Sequence, residues 1–489
     1  MSGRSSISFV QDHQLKTIRF DLEQLSPTTT VLNYLRSSAS HKGTKEGCAE
    51  GDCGACTVVL GELTPENKIN YTAIDSCLVF LPMLHGKQLI TVENLSEVKD
   101  KAMQLHPVQQ AMVDHNGSQC GYCTPGIVMS LFALYKKNVS PAIEDTRDAL
   151  TGNLCRCTGY RSILEAASAA CIHSGRDHFT QKENEVIHLL MQIKKDGQPV
   201  SVKSNEQVYN QPASLQEALK LKSDFPDALL INGATDVALQ VTKKHALLPR
   251  IIDLSAVKEI KGYEKNKTEI IIGAGLDLET IKQRTENDLP ALSNMLNVFG
   301  SRQIRSLATL GGNIGSASPI GDTIPVLMAY NAIVHLQSVN GKRIFRINEF
   351  ILGYRQTILN PDELITAVSI PVPDKTTMIK SYKISKRKDL DIATLNACFR
   401  ILLTNEIVED ILLAFGGMAA TTRRAIQTEN YLKGKPWSRK TVEEAAQLID
   451  NEFTPISDAR SGATFRKIAA KNLLLKFWSE TSQAGKKIN

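Results

Sequence analysis

Eight of the ten cysteines in this 489-residue chain fall into two groups of four, and this grouping constrains the fold more than any other feature. The first group comprises Cys48, Cys53, Cys56 and Cys77. The second group comprises Cys120 and Cys123 in SQCGYCTPG, and Cys155 and Cys157 in GNLCRCTGY. A fold that brings each quartet together must place loops from separate elements side by side, so the sequence predicts two metal centres.

The first quartet has the spacing Cys-x4-Cys-x2-Cys with a distant fourth Cys, which is the plant-type ferredoxin spacing for a [2Fe–2S] cluster. The loop also contains Gly47, Gly51 and Gly54, which permit tight turns that expose backbone N–H groups to sulfur. The alternative is a structural zinc site. Zinc prefers two Cys-x2–4-Cys pairs on separate knuckles, and three cysteines in one loop fit that pattern poorly.

The second quartet lies in a region whose apolar spacing predicts four helices between about residues 107 and 171. Cys120 and Cys123 fall between the first two helices, and Cys155 and Cys157 fall between the last two. Two loops at the same end of a bundle can bring four thiolates together, so a second [2Fe–2S] cluster is expected. A thioredoxin-like dithiol would need a preceding strand, and none is evident. The two remaining cysteines are expected to be buried free thiols.

The composition argues against nucleic-acid and membrane partners. The net charge of +6 is spread along the chain, which is typical of a solvated surface. The longest apolar stretch, Cys77–Leu84, is far shorter than the roughly 18 residues that a membrane span needs. The N-terminus lacks the apolar core of a signal peptide. We therefore expect a cytoplasmic protein without structural disulfides.

The periodicity of apolar residues predicts several domains. Strands are expected at Ile7–Val10, Thr17–Leu22 and Thr57–Leu60, with another around Cys77. The expected organisation is a small β-rich domain over 1–93, a four-helix domain over 94–173, a polar linker over 174–204, an α/β domain over 205–375 and an α+β domain over 376–489. In the last of these, strands are expected to be followed by three helices.

Two loops rich in small residues are candidate phosphate sites. Gly233–Asp236 follows a predicted strand, and Thr309–Asn313 is a second such loop. Turns of this kind let backbone N–H groups approach a pyrophosphate. No G-x-G-x-x-G follows a strand, so a Rossmann site is not supported. On pattern alone, both loops are explained equally well as tight turns.

Taken together, these motifs resemble one family. EGCAEGDCGACTV, SQCGYCTPG and GNLCRCTGY, in this order, are similar to the iron–sulfur half of the molybdenum hydroxylases. Further matches to the FAD domain of that family are LLINGATDVALQ, ATLGGNIGSASPIGDTIP, GYRQT and FGGMA. The resemblance spans nearly the whole chain and is strongest to the small iron–sulfur/FAD subunit of bacterial xanthine dehydrogenases. It implies a β-grasp ferredoxin-like domain, a four-helix iron–sulfur domain, a two-part α/β FAD-binding domain that is not a Rossmann fold, and an α+β C-terminal flavoprotein domain.

The resemblance also implies a function. A large molybdopterin-binding partner would hydroxylate hypoxanthine or xanthine, since this sequence ends at Asn489 without the molybdopterin domain of the longer relatives. Electrons would pass through the second cluster, the first cluster and FAD to NAD+. The flavin is needed because clusters carry single electrons whereas hydride transfer moves two. Family analogy further implies a dimer of heterodimers.

Individual site residues follow from the same resemblance, and none is expected to be catalytic apart from the redox centres. The residues implied to contact FAD are Leu230, Ile231, Asn232, Gly233, Ala234, Thr235, Asp236, Val237, Phe299, Thr309, Leu310, Gly311, Gly312, Asn313, Asp322, Ile365 and Lys383. Phe299 would lie against the isoalloxazine ring. Tyr354 and Asp391 would lie near the nicotinamide dinucleotide, and Gln119 would contact the partner's pterin.

Three alternatives are compatible with the same residues. The chain could serve an aldehyde or N-heterocycle hydroxylase, because the substrate pocket would belong to the partner. It could be a molybdenum-free NADH diaphorase. It could also be a zinc-stapled interaction protein. Oxygen in place of NAD+ as the final acceptor is open as well.

Overall fold

The computed structural model describes residues 5–99, 101–137, 140–172, 177–195, 197–204 and 206–482. These residues form two compact units. The first unit comprises 1–221, 227–257 and 300–308, and the second comprises 222–226, 258–299 and 309–489. Within the described ranges, no helix combines the length and the apolar composition that a membrane crossing requires.

The N-terminal part of the first unit is a mixed five-stranded sheet crossed by one helix. Its elements are β1 (Ser6–Gln11), β2 (Gln14–Arg19), α1 (Phe20–Glu23), α2 (Val31–Ser37), β3 (Thr57–Leu63), β4 (Ile69–Asp75) and β5 (Gln88–Ile90). The strand order is β2-β1-β5-β3-β4, and only the β1–β5 pair is parallel. Thr30 Oγ1 accepts a hydrogen bond from Asn33 N at 3.1 Å and caps α2. This topology confirms the predicted β-grasp fold.

The strand predicted around Cys77 is wrong. The chain leaves β4 at Asp75 and forms a short 3-10 helix, Ser76–Leu78, that carries Cys77. The apolar run that suggested a strand is almost completely buried. A short buried run fits a strand and a buried turn equally well, so periodicity alone does not separate them.

The next part of the first unit confirms the predicted four helices. A short hairpin precedes them, and the elements are β6 (Glu97–Lys99), β7 (Ala102–Gln104), α3 (Pro107–Asp114), α4 (Thr124–Lys137), α5 (Ile143–Ala149) and α6 (Arg161–Cys171). The side chains of Ile127, Leu131, Leu134 and Tyr135 on α4 are all buried. The second cysteine quartet lies on two loops, as predicted. Cys120 and Cys123 lie between α3 and α4, and Cys155 and Cys157 lie between α5 and α6.

The interval 174–204 is not an irregular linker, so this prediction is wrong. It contains α7 (His178–Gln181), α8 (Glu183–Lys195) and the first strand of the next sheet. Val186, Leu190 and Ile193 are buried, and their spacing of four and three residues places them on one helix face. Polar residues between them hid this narrow apolar stripe in the sequence.

A second sheet completes most of the first unit. Its elements are β8 (Val200–Ser204), β9 (Gln207–Gln211), α9 (Leu215–Asp224), β10 (Leu229–Ile231), α10 (Ala238–Thr242) and β11 (Arg250–Asp253). The strand order is β10-β11-β9-β8, with only β8 antiparallel to its neighbour. Val202 and Tyr209 share one buried core with Phe9 and Phe80 of the N-terminal domain. The first unit therefore continues past the boundary predicted at 205, because this small sheet buries its apolar face on that domain.

The second unit begins with an antiparallel five-stranded sheet of order β12-β13-β18-β14-β15. The elements of this stretch are β12 (Tyr263–Lys265), β13 (Glu269–Gly273), α11 (Leu278–Arg284), α12 (Pro290–Asn297), α13 (Arg302–Arg305), α14 (Leu310–Gly315), α15 (Thr323–Ala329), β14 (Ile333–Ser338), β15 (Gly341–Arg346), α16 (Ile347–Phe350), β16 (Ile351–Gly353), β17 (Gln356–Thr357) and β18 (Leu364–Pro371). Helix α13 lies in the segment 300–308, which belongs to the first unit. Neither of the two larger sheets of 205–375 is doubly wound, which confirms that this is not a Rossmann fold.

The C-terminal part of the second unit is an antiparallel sheet followed by three helices, as predicted. Its elements are β19 (Met378–Ile384), β20 (Leu395–Thr404), β21 (Ile407–Gly416), β22 (Arg423–Arg424), α17 (Ile426–Leu432), α18 (Arg439–Glu452) and α19 (Ala463–Thr481). Phe399 is central to the core, with ring centroids 4.9 Å from Phe415 and 5.5 Å from Phe477. Aromatic contacts at these distances join β20, β21 and α19.

The unexpected helix α8 gives a stability prediction. Leu190 is fully buried, so Leu190→Ala should lower the free energy of unfolding by about 2–5 kcal/mol. Asn184→Ala, at an exposed position of the same helix, should change it by no more than about 0.5 kcal/mol. Urea unfolding followed by circular dichroism measures both. Equal midpoints for the two variants would contradict the assigned packing of α8.

Candidate iron–sulfur and flavin sites

The first cysteine quartet forms two pairs beside the end of β4. Cys56 Sγ and Cys77 Sγ are 3.4 Å apart, and the thiols of Cys48 and Cys53 are hydrogen-bonded to each other. In the part of the chain that the structure describes, no three ligand-type side chains are arranged to hold a single metal ion. A [2Fe–2S] cluster distributes four thiolates over two irons, so two pairs fit it better than the single tetrahedral point of structural zinc.

The loop of the first quartet presents backbone N–H groups to sulfur, as its glycines suggest. Cys48 Sγ accepts hydrogen bonds from Glu50 N at 3.4 Å and from Asp52 N and Cys53 N, each at 3.3 Å. Gly51, with φ of 75°, lies within the curl that turns these amides inward. Such N–H···S bonds stabilise a thiolate and tune the potential of a cluster bound to it.

The thiols of the first quartet differ in acidity. The hydrogen bond from Cys53, with help from the backbone amides, lowers the pKa of Cys48 to about 5. Hydrogen bonding to Cys77 and burial raise the pKa of Cys56 well above its ordinary value. Burial also raises the pKa of the adjacent Asp75 to about 8. Cluster ligands must be thiolates, so iron binding here would release protons.

The second quartet also forms two pairs, between Cys120 and Cys157 and between Cys123 and Cys155. Cys120 and Cys157 are exposed, whereas Cys123 and Cys155 are partly buried. Tyr160, the N-cap residue of α6, fixes one of the two loops, because its hydroxyl accepts a hydrogen bond from Cys155 N at 2.7 Å. The structure therefore brings all four predicted ligands of this quartet together at one end of the helical domain.

Each pair of the second quartet contains one more acidic thiol. The backbone N–H of Tyr122, followed by the thiol of Cys157, lowers the pKa of Cys120. Burial opposes ionisation of Cys155, but hydrogen bonds with Thr158 outweigh it and lower its pKa. Burial raises the pKa of Cys123 to about 12. The lowered pKa values of Cys120 and Cys155 favour their thiolate forms, which are the forms that bind metal.

Direct hydrogen bonds join the two cysteine loops within the first unit. Leu154 N, next to Cys155, donates to Cys53 O at 3.1 Å. Lys45 Nζ donates to Gly121 O, next to Cys120, at 3.3 Å. These contacts were not predicted, because they connect residues that are far apart in the sequence.

The predicted flavin residues of the first unit follow β10. Ile231 ends that strand, and Ala234, with φ of 59°, turns the chain toward α10. A Cβ at Gly233 would lie 1.7 Å from Leu307 O. This close backbone contact by itself requires glycine. Asp236 is exposed in the same turn.

In the second unit, two predicted flavin residues, Asp322 and Lys383, are connected by a hydrogen bond. Lys383 Nζ donates to Asp322 Oδ2 at 2.7 Å and to Val298 O, next to Phe299, at 2.8 Å. Asn396 Nδ2 donates to Asp322 Oδ1 at 2.7 Å. Lys383 and Asp322 are almost fully buried. Asn396 was missed in the sequence, where a strand asparagine carries no distinctive signal.

The remaining predicted flavin residues of the second unit gather around α14. Thr309 Oγ1 caps this helix by accepting a hydrogen bond from Gly312 N at 3.2 Å. Asn313 Oδ1 accepts a hydrogen bond from Thr323 Oγ1 at 2.6 Å, and Ile365 Cδ1 lies 3.3 Å from where a Cβ of Gly315 would be. Gly312 is exposed, and a Cβ there would meet only the cap. This open face fits the approach of a pyrophosphate to backbone N–H groups.

Three other predicted contacts are surface residues. Tyr354 is 62% exposed on the β16–β17 turn, and Gln119 is exposed next to Cys120. Asp391 accepts hydrogen bonds from Arg387 N and Nε, both at 2.7 Å. Partial burial would raise the pKa of Asp391, but the bonds from Arg387 dominate and lower it. Gln119 thus adjoins the second quartet through its neighbour Cys120.

The pairing of thiols predicts a selective loss of iron. Cys56→Ser should remove about half of the bound iron, because it damages one of two [2Fe–2S] sites. Cys398→Ala, at a buried thiol on β20, should leave the iron content unchanged. Metal analysis with electron paramagnetic resonance (EPR) of the reduced protein measures both. Full iron in Cys56→Ser, or zinc in the unaltered protein, would contradict the assignment.

The buried pair of Lys383 and Asp322 predicts a non-additive effect on stability. Lys383→Met should destabilise the flavin-free protein by about 3–5 kcal/mol, since it leaves a buried carboxylate without its cation. Adding Asp322→Asn should restore part of this loss by removing the unpaired charge. Urea unfolding of the three proteins measures the difference. A double variant that is no more stable than Lys383→Met would contradict the assigned ion pair.

Four family models match successive parts of the chain. They are a 2Fe-2S iron-sulfur cluster binding domain at 18–81, a [2Fe-2S] binding domain at 91–168, the FAD binding domain in molybdopterin dehydrogenase at 202–373, and the CO dehydrogenase flavoprotein C-terminal domain at 380–481. The models support two [2Fe–2S] clusters and FAD as cofactors.

Similar proteins include the xanthine dehydrogenase/oxidase of Gallus gallus, which is 33% identical over 93% of this chain, and the xanthine dehydrogenase of Emericella nidulans, which is 33% identical over 94%. The match covers 39% and 38% of these relatives, so the chain spans about two fifths of their length.

Two solved structures share the fold. Quinoline 2-oxidoreductase from Pseudomonas putida 86 matches with a TM-score of 0.53 at 23% identity, over 57% of this chain and 97% of that chain. Carbon monoxide dehydrogenase from Hydrogenophaga pseudoflava matches with a TM-score of 0.53 at 24% identity, over 55% and 94%. The domain matches and the xanthine dehydrogenase relatives place the chain in the molybdenum hydroxylase family, as an iron–sulfur and FAD electron-transfer module.

Proposed function

We propose that this chain is the electron-transfer part of a xanthine dehydrogenase. A molybdopterin-binding partner subunit would oxidise hypoxanthine or xanthine, and the electrons would reach NAD+ through this chain. The proposal takes the xanthine dehydrogenase activity from relatives that are 31–33% identical over 92–94% of the chain. A dimer of such two-chain units in the cytoplasm is part of the same proposal.

The observation that carries the proposal is the joining of the two cysteine quartets within one unit. Leu154 N donates to Cys53 O at 3.1 Å, so the peptide before Cys155 touches the peptide of a ligand in the other quartet. Two sites that exchange electrons require a fixed short separation, which these bonds favour.

The chain's own residues would bind and orient the cofactors. The first quartet and the second quartet would each hold one [2Fe–2S] cluster, and the small-residue loops at Leu230–Val237 and Thr309–Asn313 would hold FAD. The clusters supply one-electron transfer, and FAD exchanges single electrons for pairs. Cys48 is prepared as a thiolate by the three backbone amides that donate to its sulfur. Tyr354 and Asp391 are proposed to face NAD+, and Gln119 is proposed to face the pterin.

The assembled complex with its molybdopterin partner tests this function. Cys157→Ser should reduce purine-dependent formation of NADH at least about tenfold, because it removes a proposed cluster ligand. Even substitutions next to the ligands of a metal site commonly cost about this much activity. Oxidation of NADH by an artificial acceptor should persist, because it needs only the flavin. Cys171→Ala, at a buried thiol on α6 of the same domain, should leave both activities unchanged.

Three outcomes would overturn the proposal. Undiminished purine turnover in Cys157→Ser would show that electrons do not pass through the second quartet. Turnover of aldehydes or N-heterocycles but not of xanthine by the unaltered complex would assign the module to another molybdenum hydroxylase. NADH oxidation without any co-purifying large subunit would instead favour a diaphorase.

A further inference from the structure

Two buried amide side chains lie where the cysteine loops meet, and the electron-transfer function does not by itself account for them. Asn153, two residues before Cys155, is 2% exposed, and Gln303 is fully buried. Gln303 lies in the segment 300–308, between the predicted flavin residues Phe299 and Thr309. Burying an amide is unfavourable unless its hydrogen bonds are made, so the burial of Asn153 and Gln303 requires an explanation.

Asn153 bonds to the loop of the first quartet with one end of its amide. Its Nδ2 donates to Gly54 O and to Thr57 Oγ1, both at 3.1 Å. Gly54 directly follows Cys53, and Thr57 directly follows Cys56. Because Asn153 itself belongs to the loop of the second quartet, this side chain ties one quartet to the other.

Gln303 and Ser130 hold the other end of the Asn153 amide. Ser130 Oγ donates to Asn153 Oδ1 at 2.6 Å, and Gln303 Nε2 donates to the same oxygen at 2.9 Å. Gln303 Nε2 also lies 3.2 Å from Ala149 O on α5. With its oxygen fixed by two donors, Asn153 can only direct its Nδ2 toward the first quartet.

The segment that carries Gln303 is held in place independently. Arg305 is fully buried and donates to Asp148 Oδ1 at 2.6 Å, and Arg302 N donates to Thr151 Oγ1 at 3.1 Å. Ile304 packs into the core of the first quartet's domain. A charge-assisted bond from a buried Arg is among the stronger single contacts in a protein, so Gln303 has little freedom to move away from Asn153.

We propose that Asn153 and Gln303 are positioning residues that together set the separation of the two cysteine quartets, and thereby the electronic contact between the clusters they hold. Asn153 fixes the separation by its bonds to Gly54 and Thr57, and Gln303 fixes Asn153. This inference rests on the proposed function, because a spacing between the sites has a consequence only if electrons cross it.

Two substitutions separate this role from simple folding. Asn153→Asp keeps an acceptor for Ser130 and Gln303 but removes the donor to Gly54 O and Thr57 Oγ1. Gln303→Met keeps the bulk of the side chain, and Asn153 Oδ1 retains its bond from Ser130. The matched controls are Asn70→Asp and Gln14→Met, which make the same changes at exposed positions of the first unit.

The main measurement is EPR of the reduced, fully loaded chain. Two paramagnetic clusters at a short fixed distance split each other's signals, and the splitting depends on their separation and orientation. We expect Asn153→Asp to alter this splitting while iron content, flavin content and the individual cluster signals stay unchanged. Gln303→Met should have a smaller effect in the same direction, and the controls should match the unaltered protein.

Two further readouts complete the test. Stopped-flow reduction by NADH should show the second cluster filling more slowly in both variants, by up to about tenfold. Slower filling in the neutral Gln303→Met separates this effect from the potential shift that the added charge of Asn153→Asp causes. Hydrogen exchange should show faster exchange of Leu154 N–H, whose acceptor Cys53 O lies next to Gly54. This last readout does not depend on activity.

The outcomes are distinguishable. Splitting, exchange and rates like those of the unaltered protein in both variants would overturn the inference and leave the proposed function standing. An altered splitting in the exposed controls would also overturn it. Absence of two iron–sulfur signals in the unaltered protein would overturn the proposed function, and this inference with it.

Discussion

Close contact between bare stretches of backbone is the constraint on which the iron–sulfur half of this structure depends. A Cβ at Gly54 would lie 2.1 Å from Gly152 O, and a Cβ at Gly126 would lie 2.1 Å from Gly54 O. The loop of the first quartet, the start of α4 and the loop before Cys155 therefore meet in direct backbone contact at these glycines. The peptides of both metal sites can approach each other only because these positions are glycine.

The close backbone contact between the two cysteine loops explains why neutral amide and peptide groups make hydrogen bonds at this junction. Where backbones touch, every N–H and C=O that leaves water needs a partner. Leu154 N satisfies Cys53 O at 3.1 Å, and Asn153 Nδ2 satisfies Gly54 O at the same distance. A charged side chain in this position would need a counter-charge beside the clusters, and would shift their potentials. Neutral amides meet the demand for hydrogen bonds without adding a net charge.

The sequence predicted what is encoded locally, and it missed what depends on distant partners. The two quartets, the four helices around the second quartet and the three C-terminal helices follow from spacings of a few residues. Helix α8 was missed because only Val186, Leu190 and Ile193 mark its buried face. Gln303 was missed because its partner Asn153 lies 150 residues away in the chain, and nothing beside either residue signals the pairing.

The flavin residues show the same division between local pattern and distant partner. Asp322 and Lys383 were each predicted to contact FAD, and in the structure Lys383 uses its ammonium group on Asp322 and on Val298 O. The buried ammonium group of Lys383 fixes the peptide that precedes Phe299. Asn396 in turn fixes the carboxylate of Asp322. These residues would therefore act on a flavin by fixing the peptide that precedes Phe299. No sequence motif encodes such an indirect role.

The difference in exposure between the two quartets bears on the proposed partner. Cys56 and Cys77 are buried, whereas Cys120 and Cys157 are exposed. An exposed redox centre exchanges electrons with any small oxidant that reaches it, so electrons on their way to the flavin would be lost from an uncovered second site. A partner that covers Cys120 and Cys157 removes this loss and delivers electrons at the same place. The proposed molybdopterin subunit would therefore serve two purposes at the second quartet, because it would deliver electrons there and shield the exposed cysteines from small oxidants.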